Sequence, residues 1–316
     1  MEPKELRIVF MGTPEVAVQS LKDLVENGYQ VVAVVTAPDK PAGRGRKLTG
    51  PPVKEYALQQ NLKVLQPQNL KSSDFLDQLK AVRPDVQVVV AFRMLPEQVW
   101  SLPPLGTFNM HASLLPQYRG AAPINWAVIN GEQQSGVTTF LLDHLIDTGK
   151  ILFREPINLE PDETAGSLHE KVKHEGSKLV MRTLDAIAHG NIRPLDQQAL
   201  TSEQPILKKA PKIFKEDCRI DWNQPVQQVA NHIHGLSPHP GAFTTIETAG
   251  QLPMTLKIYE VVPERVVHHD APGTLISDNK KQLGFTTPDG IIWVKSLQLP
   301  GKRRMNTEEV LRGHSF

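Results

Sequence analysis

Three near-continuous apolar runs constrain this chain more than any other feature: LRIVFM (6–11), VVAVVT (31–36) and DVQVVVAF (85–92). Each has the length of a strand but no alternation of polar residues, so each must be buried on both faces. Helical patterns separate them. Thr13 and Pro14 offer a cap and a proline at the first helical position, ahead of a stripe of Val16, Leu21, Leu24 and Val25 that Gly28 stops. Leu76, Leu79 and Val82 mark a second helix, and TFNMH (107–111) reads as a further short strand. This alternation predicts an α/β fold: a Rossmann-like, mostly parallel sheet with helices on both faces. Functional sites in such sheets lie at the carboxyl ends of strands.

The second half has a different grammar. Residues 163–189 predict a long helix ending at Gly190, and a polar, proline-punctuated stretch follows, with Pro194, Pro205 and Pro211. Beyond a helix predicted from Pro225 to His234 come short alternating runs separated by turns: GAFTTIET, PMTLKIYEVV, GTLIS, QLGFTT and GIIWVKSLQL. They predict a small antiparallel β-barrel of the oligonucleotide-binding kind. The expected organisation is a first domain over 1–190, a linker over 191–207 and a second domain over 208–316.

With 316 residues, 40% of them hydrophobic, either domain is long enough to bury a core. The single cysteine, Cys218, leaves no partner for an intrachain disulfide. No run approaches the length of a membrane span, and the charged start reads as a lead-in to the first strand rather than a signal peptide, so a cytoplasmic protein with no membrane contact is expected. The net charge of +1 hides an asymmetry: residues 206–316 hold 14 Lys and Arg against 11 Asp and Glu, whereas residues 1–205 hold 21 against 23. Basic residues cluster at Lys208, Lys209, Lys212 and Lys215, at Lys302, Arg303 and Arg304, and at Lys40, Arg44, Arg46 and Lys47. A single cluster is ordinarily a solvated face; three in loop-like sequence favour a polyanionic partner.

Several chemistries are disfavoured. The turn after the first strand, MGTPEVA, has one glycine where a dinucleotide fingerprint needs three, and no phosphate-binding P-loop motif occurs. His232 and His234 point to different faces of a helix, and neither they nor His268 and His269 have metal-ligand spacing, so no metal is expected. The segment 107–149 is different. Asn109 and His111 stand two apart on a strand and project to one face, where the strand runs out into Ala112-Ser113-Leu114-Leu115-Pro116. Asp147 follows a second apolar strand, in a turn closed by Thr148-Gly149. A histidine with a carboxylate and an amide nearby can transfer protons and stabilise an oxyanion. A satisfied polar pair at a strand end is the bland alternative, and spacing alone does not decide between them.

Asn109-x-His111, Ser113-Leu114-Leu115-Pro116, Tyr118-Arg119-Gly120-Ala121-Ala122-Pro123 and Asp147-Thr148-Gly149, at these spacings, resemble the folate-dependent formyltransferases. The loop Pro38-Asp39-Lys40-Pro41-Ala42-Gly43-Arg44-Gly45-Arg46-Lys47-Leu48 narrows the resemblance to members that act on methionyl-tRNA. Ile220-Asp221-Trp222, Leu236-Ser237-Pro238-His239-Pro240 and the tail Lys302-Arg303-Arg304-Met305 with Leu311-Arg312-Gly313 extend it to the C-terminal end, so it covers residues 5–315 or so. The resemblance implies transfer of a formyl group from 10-formyltetrahydrofolate to the α-amine of initiator methionyl-tRNA, with no acyl-enzyme and no protein partner. It implies that Asn109 and His111 act on the formyl oxygen, that Asp147 orients the imidazole, and that Ser113, Leu114, Leu115 and Pro116 line the folate pocket with Met94 and Leu95. The chain departs from the family by running from Phe92 directly to Arg93, where a glycine commonly follows the aromatic residue. The resemblance assigns the basic clusters to tRNA: Arg44 at the acceptor end with Arg46 and Lys47, and Lys209, Lys212, Lys302, Arg303 and Arg304 on the backbone. A formyltransferase for a small amine, which would not need these clusters, and a silent folate- or RNA-binding module are the competing readings.

Overall fold

A computed structural model describes residues 2–42, 47–201, 206–246 and 253–316. The elements run β1 (Ile8–Gly12), α1 (Glu15–Glu26), β2 (Val31–Val35), a hairpin of β3 (Lys40–Ala42) and β4 (Lys47–Thr49), α2 (Pro52–Gln59), β5 (Val64–Leu65), α3 (Ser73–Ala81), β6 (Val86–Val90), α4 (Glu97–Trp100), β7 (Thr107–His111), β8 (Arg119–Gly120), α5 (Pro123–Ile129), β9 (Gln134–Leu141), β10 (Ile151–Asn158) and α6 (Ala165–Ala188). After them come α7 (Gln198–Thr201), β11 (Lys209–Ala210), α8 (Val226–Gly235), β12 (Ala242–Ile246), β13 (Met254–Arg265), β14 (Leu275–Ser277), β15 (Leu283–Thr287), β16 (Gly290–Gln298), β17 (Met305–Asn306) and α9 (Thr307–Leu311).

The chain divides into two compact units. One comprises residues 1–120, 135–157 and 169–209; the other comprises 121–134, 158–168 and 210–316. The first is built on a seven-stranded sheet in the order β10-β9-β7-β6-β1-β2-β5. Its centre is parallel, β7 to β6 to β1 to β2 to β5, and β9 adds to β7 antiparallel. The three apolar runs are β1, β2 and β6; β1 and β6 are buried along their whole length and β2 over Ala33–Val35. On one face Val9, Met11, Ala33, Val35 and Val89 pack with Phe75 and Leu79 of α3. On the other, α6 lies against β7: a Cβ on Gly176 would stand 2.8 Å from Met110 Cε, so the helix packs directly on that methionine and a larger residue would push its side chain aside. Ser177 Oγ donates to Asp23 at 2.5 Å and Tyr29 Oη to Asp185 at 2.6 Å, which fastens α6 to α1 and its exit turn.

The first turn corrects one expectation. Pro14, not Thr13, occupies the cap position of α1, and no side chain caps it. Gly12 explains the shape there: a Cβ would stand 2.7 Å from Ala17 Cβ, so glycine lets the helix begin directly over the strand end.

The second unit is the expected antiparallel sheet, ordered β12-β13-β16-β15-β14 with β17 beside β16. Its strands alternate, and the inward set, including Leu256, Ile258, Val261, Phe285, Ile292 and Val294, closes over Val229, Ala230 and Ile233 of α8. Trp222 stacks on Phe285 at 4.5 Å between ring centroids and donates its indole hydrogen to Thr244 Oγ1 at 3.0 Å. The short helix α5 falls in this unit; the approach of Gly235 to Ile129, 2.4 Å for a hypothetical Cβ, fixes α8 against it.

Candidate active site

The carboxyl end of β7 carries the candidate site. Asn109 pairs in register with Val89 and Phe140, and His111 with Thr138, so both side chains leave the same face of a strand held on both sides. Asn109 is half-buried and His111 buried. The chain then turns sharply through 112–118, with a cis bond between Leu115 and Pro116 and Tyr118 in the left-handed region at φ 58°. Thr138 holds that turn, donating to Ser113 O at 2.6 Å and accepting from Leu115 N at 3.1 Å; Ser113 Oγ donates to Gln117 O at 2.6 Å.

The turn returns the Tyr118 carbonyl to 2.9 Å from His111 Nε2. A carbonyl only accepts, so Nε2 carries the hydrogen. The other ring nitrogen, Nδ1, faces Asp147 Oδ2 at 3.9 Å, an ion-pair separation longer than a hydrogen bond. That carboxylate oxygen accepts the Gly120 backbone N–H at 3.0 Å. Asp147 itself is left-handed, at φ 55°, a conformation that aspartate adopts more readily than most residues. His111 and Asp147 are thus brought together by backbone contacts from the Tyr118–Gly120 segment, with Asn109 two residues upstream of the histidine.

The other sequence-predicted residues are distributed as follows. Ser113, Leu115 and Pro116 are buried and Leu114 half-buried, so Leu114 is the member of that quartet with surface to offer. Met94 is 70% exposed and Leu95 buried. Arg93 donates to the carbonyls of Pro67 and Gln68, which braces the strand exit where the family's glycine is absent. Lys209, Lys212, Lys302 and Arg303 are exposed. Lys212 Nζ lies 5.4 Å from the centre of the Phe214 ring. Arg303 pairs with Glu309, and Arg304 with Glu260, so these two guanidinium groups are already partnered. Arg44 and Arg46 lie outside the described residues, as does the side chain of Lys47. The base of that loop is firmly tied: Gln66 Nε2 donates to Asp39 at 2.7 Å and Lys54 Nζ at 2.8 and 2.6 Å, which together hold the Asp39 carboxyl below the usual carboxylate range. Among the described residues no cluster of histidine, cysteine, aspartate or glutamate could hold a metal, and no helix is long and apolar enough to cross a membrane.

Sequence reasoning missed Gln197. It sits in the stretch read as a linker, yet its side chain is 2% exposed and reaches the site. Its amide donates to the carbonyls of Asp147 and Gly149, at 3.0 and 2.8 Å. The available signal was a single polar residue amid residues that carry no periodicity, which no pattern distinguishes from a solvated one.

Comparison with known proteins agrees with this architecture. The Formyl transferase profile matches residues 6–184, and the Formyl transferase, C-terminal domain profile matches residues 212–315. Curated relatives from Bacteroides fragilis and Bacteroides thetaiotaomicron, both called methionyl-tRNA formyltransferase, are each 51% identical over 315 residues, covering 99% of this chain and 96% and 97% of theirs. Among solved structures, HypX from Aquifex aeolicus in complex with tetrahydrofolic acid superposes with a TM-score of 0.64 at 18% identity; it covers 97% of this chain, which spans about half (47%) of that protein. On the two profile matches and the full-length relatives, the chain belongs to the formyltransferase family.

Proposed function

We propose that the protein transfers the formyl group of 10-formyltetrahydrofolate to the free α-amine of initiator methionyl-tRNA, giving N-formylmethionyl-tRNA for translation initiation. The name of its full-length relatives supports the substrates. The observation that carries the chemistry is His111 set between the Tyr118 carbonyl and the Asp147 carboxylate at the end of β7.

In the reaction a bond forms between the amine nitrogen and the formyl carbon, the bond from that carbon to folate N10 breaks, and the amine proton ends on N10. The protein's contribution is positional and electrostatic. Asn109 donates its amide hydrogen to the formyl oxygen as charge gathers there. With Nε2 committed to Tyr118, Nδ1 is the ring nitrogen that holds or releases a proton. Asp147 keeps that nitrogen oriented and balances the imidazolium. No residue need form a covalent intermediate.

Under this reading residues 1–190 carry the chemistry and 208–316 bind tRNA, joined through 191–207. Ser113–Pro116, Met94 and Leu95 border the folate, and Arg44, Arg46 and Lys47 meet the acceptor end of the tRNA, with Lys209, Lys212, Lys302, Arg303 and Arg304 on its backbone. A cytoplasmic location fits a translation enzyme with one unpaired cysteine. The deciding experiment is transfer of labelled formyl to charged initiator tRNA, compared with small amines, for the parent and for Arg44→Leu. Methionyl-tRNA is expected to be the acceptor, and Arg44→Leu to lose most of that activity with unchanged folate binding. Equal labelling of small amines, or an unaffected Arg44→Leu enzyme, refutes the substrate assignment.

A further inference from the structure

Between residues 191 and 200 the chain is exposed or half-exposed at every position but one, Gln197. A buried amide with no apolar role demands partners, and this one has them on both ends. Its nitrogen donates to Asp147 O at 3.0 Å and to Gly149 O at 2.8 Å, the two ends of the Asp147-Thr148-Gly149 turn. Its oxygen accepts from Arg119 Nε at 3.1 Å and Nη2 at 2.5 Å. Arg119 is the residue before Gly120, whose N–H binds the Asp147 carboxylate. One side chain therefore links the backbone that presents the carboxylate to the segment that grips it. The stretch carrying Gln197 is itself anchored by an antiparallel bridge between Leu195 and Ile151, with hydrogen bonds of 2.8 Å in both directions.

The turn needs such a clamp. Asp147 holds a left-handed backbone at φ 55°, which persists only where surroundings over-determine it. Gly149 approaches Leu141 so closely that a Cβ would stand 1.7 Å from its carbonyl oxygen, so the far end of the turn is wedged while the near end relies on hydrogen bonds. The gap from Asp147 Oδ2 to His111 Nδ1 is 3.9 Å; a small rotation of this turn would carry the carboxylate out of range.

We propose that Gln197 is a positioning residue for the formyl-transfer site: it fixes the Asp147 turn, and through Arg119 its registry with Gly120, so that the carboxylate stays on His111. This rests on the roles given above to His111 and Asp147. It also makes part of the connecting segment belong to the active site, although the matched N-terminal family profile ends at residue 184.

The donating end of the amide can be tested apart from the whole side chain. Gln197→Glu keeps the length and an acceptor for Arg119 but cannot donate to either carbonyl. Gln197→Leu keeps the bulk and loses both ends. The full-length parent is first assayed with methionyl-tRNA, so that failure of the substrate assignment is seen there and not confused with the role of Gln197. Steady-state constants, the pH profile of kcat and thermal midpoints are then compared. Both variants should lose at least about tenfold in kcat, the scale expected when a reacting group is misplaced without being removed. KM for folate and for methionyl-tRNA should stay within about threefold, and the pH profile should move because Asp147 no longer faces the imidazole in a fixed way. Gln197→Asn, one methylene short, should fall with Gln197→Leu. The proposal is overturned if Gln197→Glu retains kcat within about twofold of the parent. It is equally overturned if the loss appears in KM with an unchanged pH profile, or if kcat per folded molecule is normal and only the thermal midpoint falls.

Discussion

The two compact units treat polar groups in opposite ways. In the first, a buried histidine and a buried amide are joined to backbone and to a half-buried carboxylate and guanidinium: His111 to Tyr118, Asp147 to Gly120, Gln197 to Asp147, Gly149 and Arg119. In the second, Lys212 and Lys302 stand exposed, while two histidines of α8 are used as structure: His234 is buried and accepts from Val261 N at 3.3 Å, and His232 Nε2 is enclosed with no hydrogen-bond partner among the described residues. The lesson is that a buried polar group merits a chemical reading only when its partners restrain it in a particular state and leave it a reactive face. His111 satisfies that test; His232 and His234 do not.

The sharpest way to break the comparison is to remove the restrained histidine. His111→Ala should reduce kcat by about 100-fold or more, the usual scale for acid–base and oxyanion groups, with the thermal midpoint close to the parent because β7 keeps its backbone pairing. Turnover within a few-fold of the parent would mean that the buried network is structural, like that of the second unit.

How far the sequence disclosed this contrast depends on which physics each part uses. The runs of β1, β2 and β6 were legible because burial on both faces leaves almost only apolar residues, and Asn109-x-His111 was legible because a period of two puts both on one face; the parallel strand β5, two residues long, carries no such run. The Asp147 turn was recognisable by its residues, but its binding to Gly120 N was not, since a backbone donor leaves no trace in residue identity. Gln197 was illegible for a related reason: its burial comes from a loop folding back, not from a repeating pattern. The association of α5 with the second unit was also hidden, because Pro123–Ile129 sits between two strands of the first sheet in chain order.

A smaller effect separates the structural histidines. Burial is the main influence on both His232 and His234 and pushes each below the ordinary histidine value, and His234 Nε2 must be unprotonated to accept the Val261 hydrogen. The folded state therefore refuses a proton that the unfolded chain takes up near pH ~6.5. Stability is full above that value and falls as pH drops below it towards the depressed folded values. Thermal unfolding followed by tryptophan fluorescence, to which Trp126, Trp222 and Trp293 of the second unit contribute three of the four tryptophans, should show a midpoint that declines from about pH 7.5 to about pH 5. His234→Gln, which keeps an acceptor but cannot titrate, should flatten part of that decline. A pH-independent midpoint in the parent would remove the distinction drawn between the histidines.

The smallest expected effects lie at the exposed charges. Removing one cation that meets a phosphate should flatten the dependence of log binding on log salt by somewhat less than about one unit. Lys212 has no acidic partner among the described residues; it rests over the Phe214 ring, so its charge is free to meet a phosphate. Arg304 pairs with Glu260, donates to Ser296 Oγ at 2.7 Å and lies 4.7 Å from the centre of the Tyr259 ring. Engaging a phosphate would require Arg304 to give up or share those partners, and exposed pairs of this kind are worth about 0–1 kcal/mol, comparable with the gain from one screened phosphate. Lys212→Ala should therefore lower the salt slope for methionyl-tRNA by nearly the full amount for one phosphate and raise KM by a few-fold. Arg304→Ala should change the slope by less and act partly through poorer packing on Tyr259. Neither should alter kcat at saturating tRNA, because neither belongs to the buried network. KM measured across a salt series for the parent and both variants decides the point: an Arg304 slope change equal to or larger than that of Lys212 would show that internal pairing does not set which cations the tRNA uses.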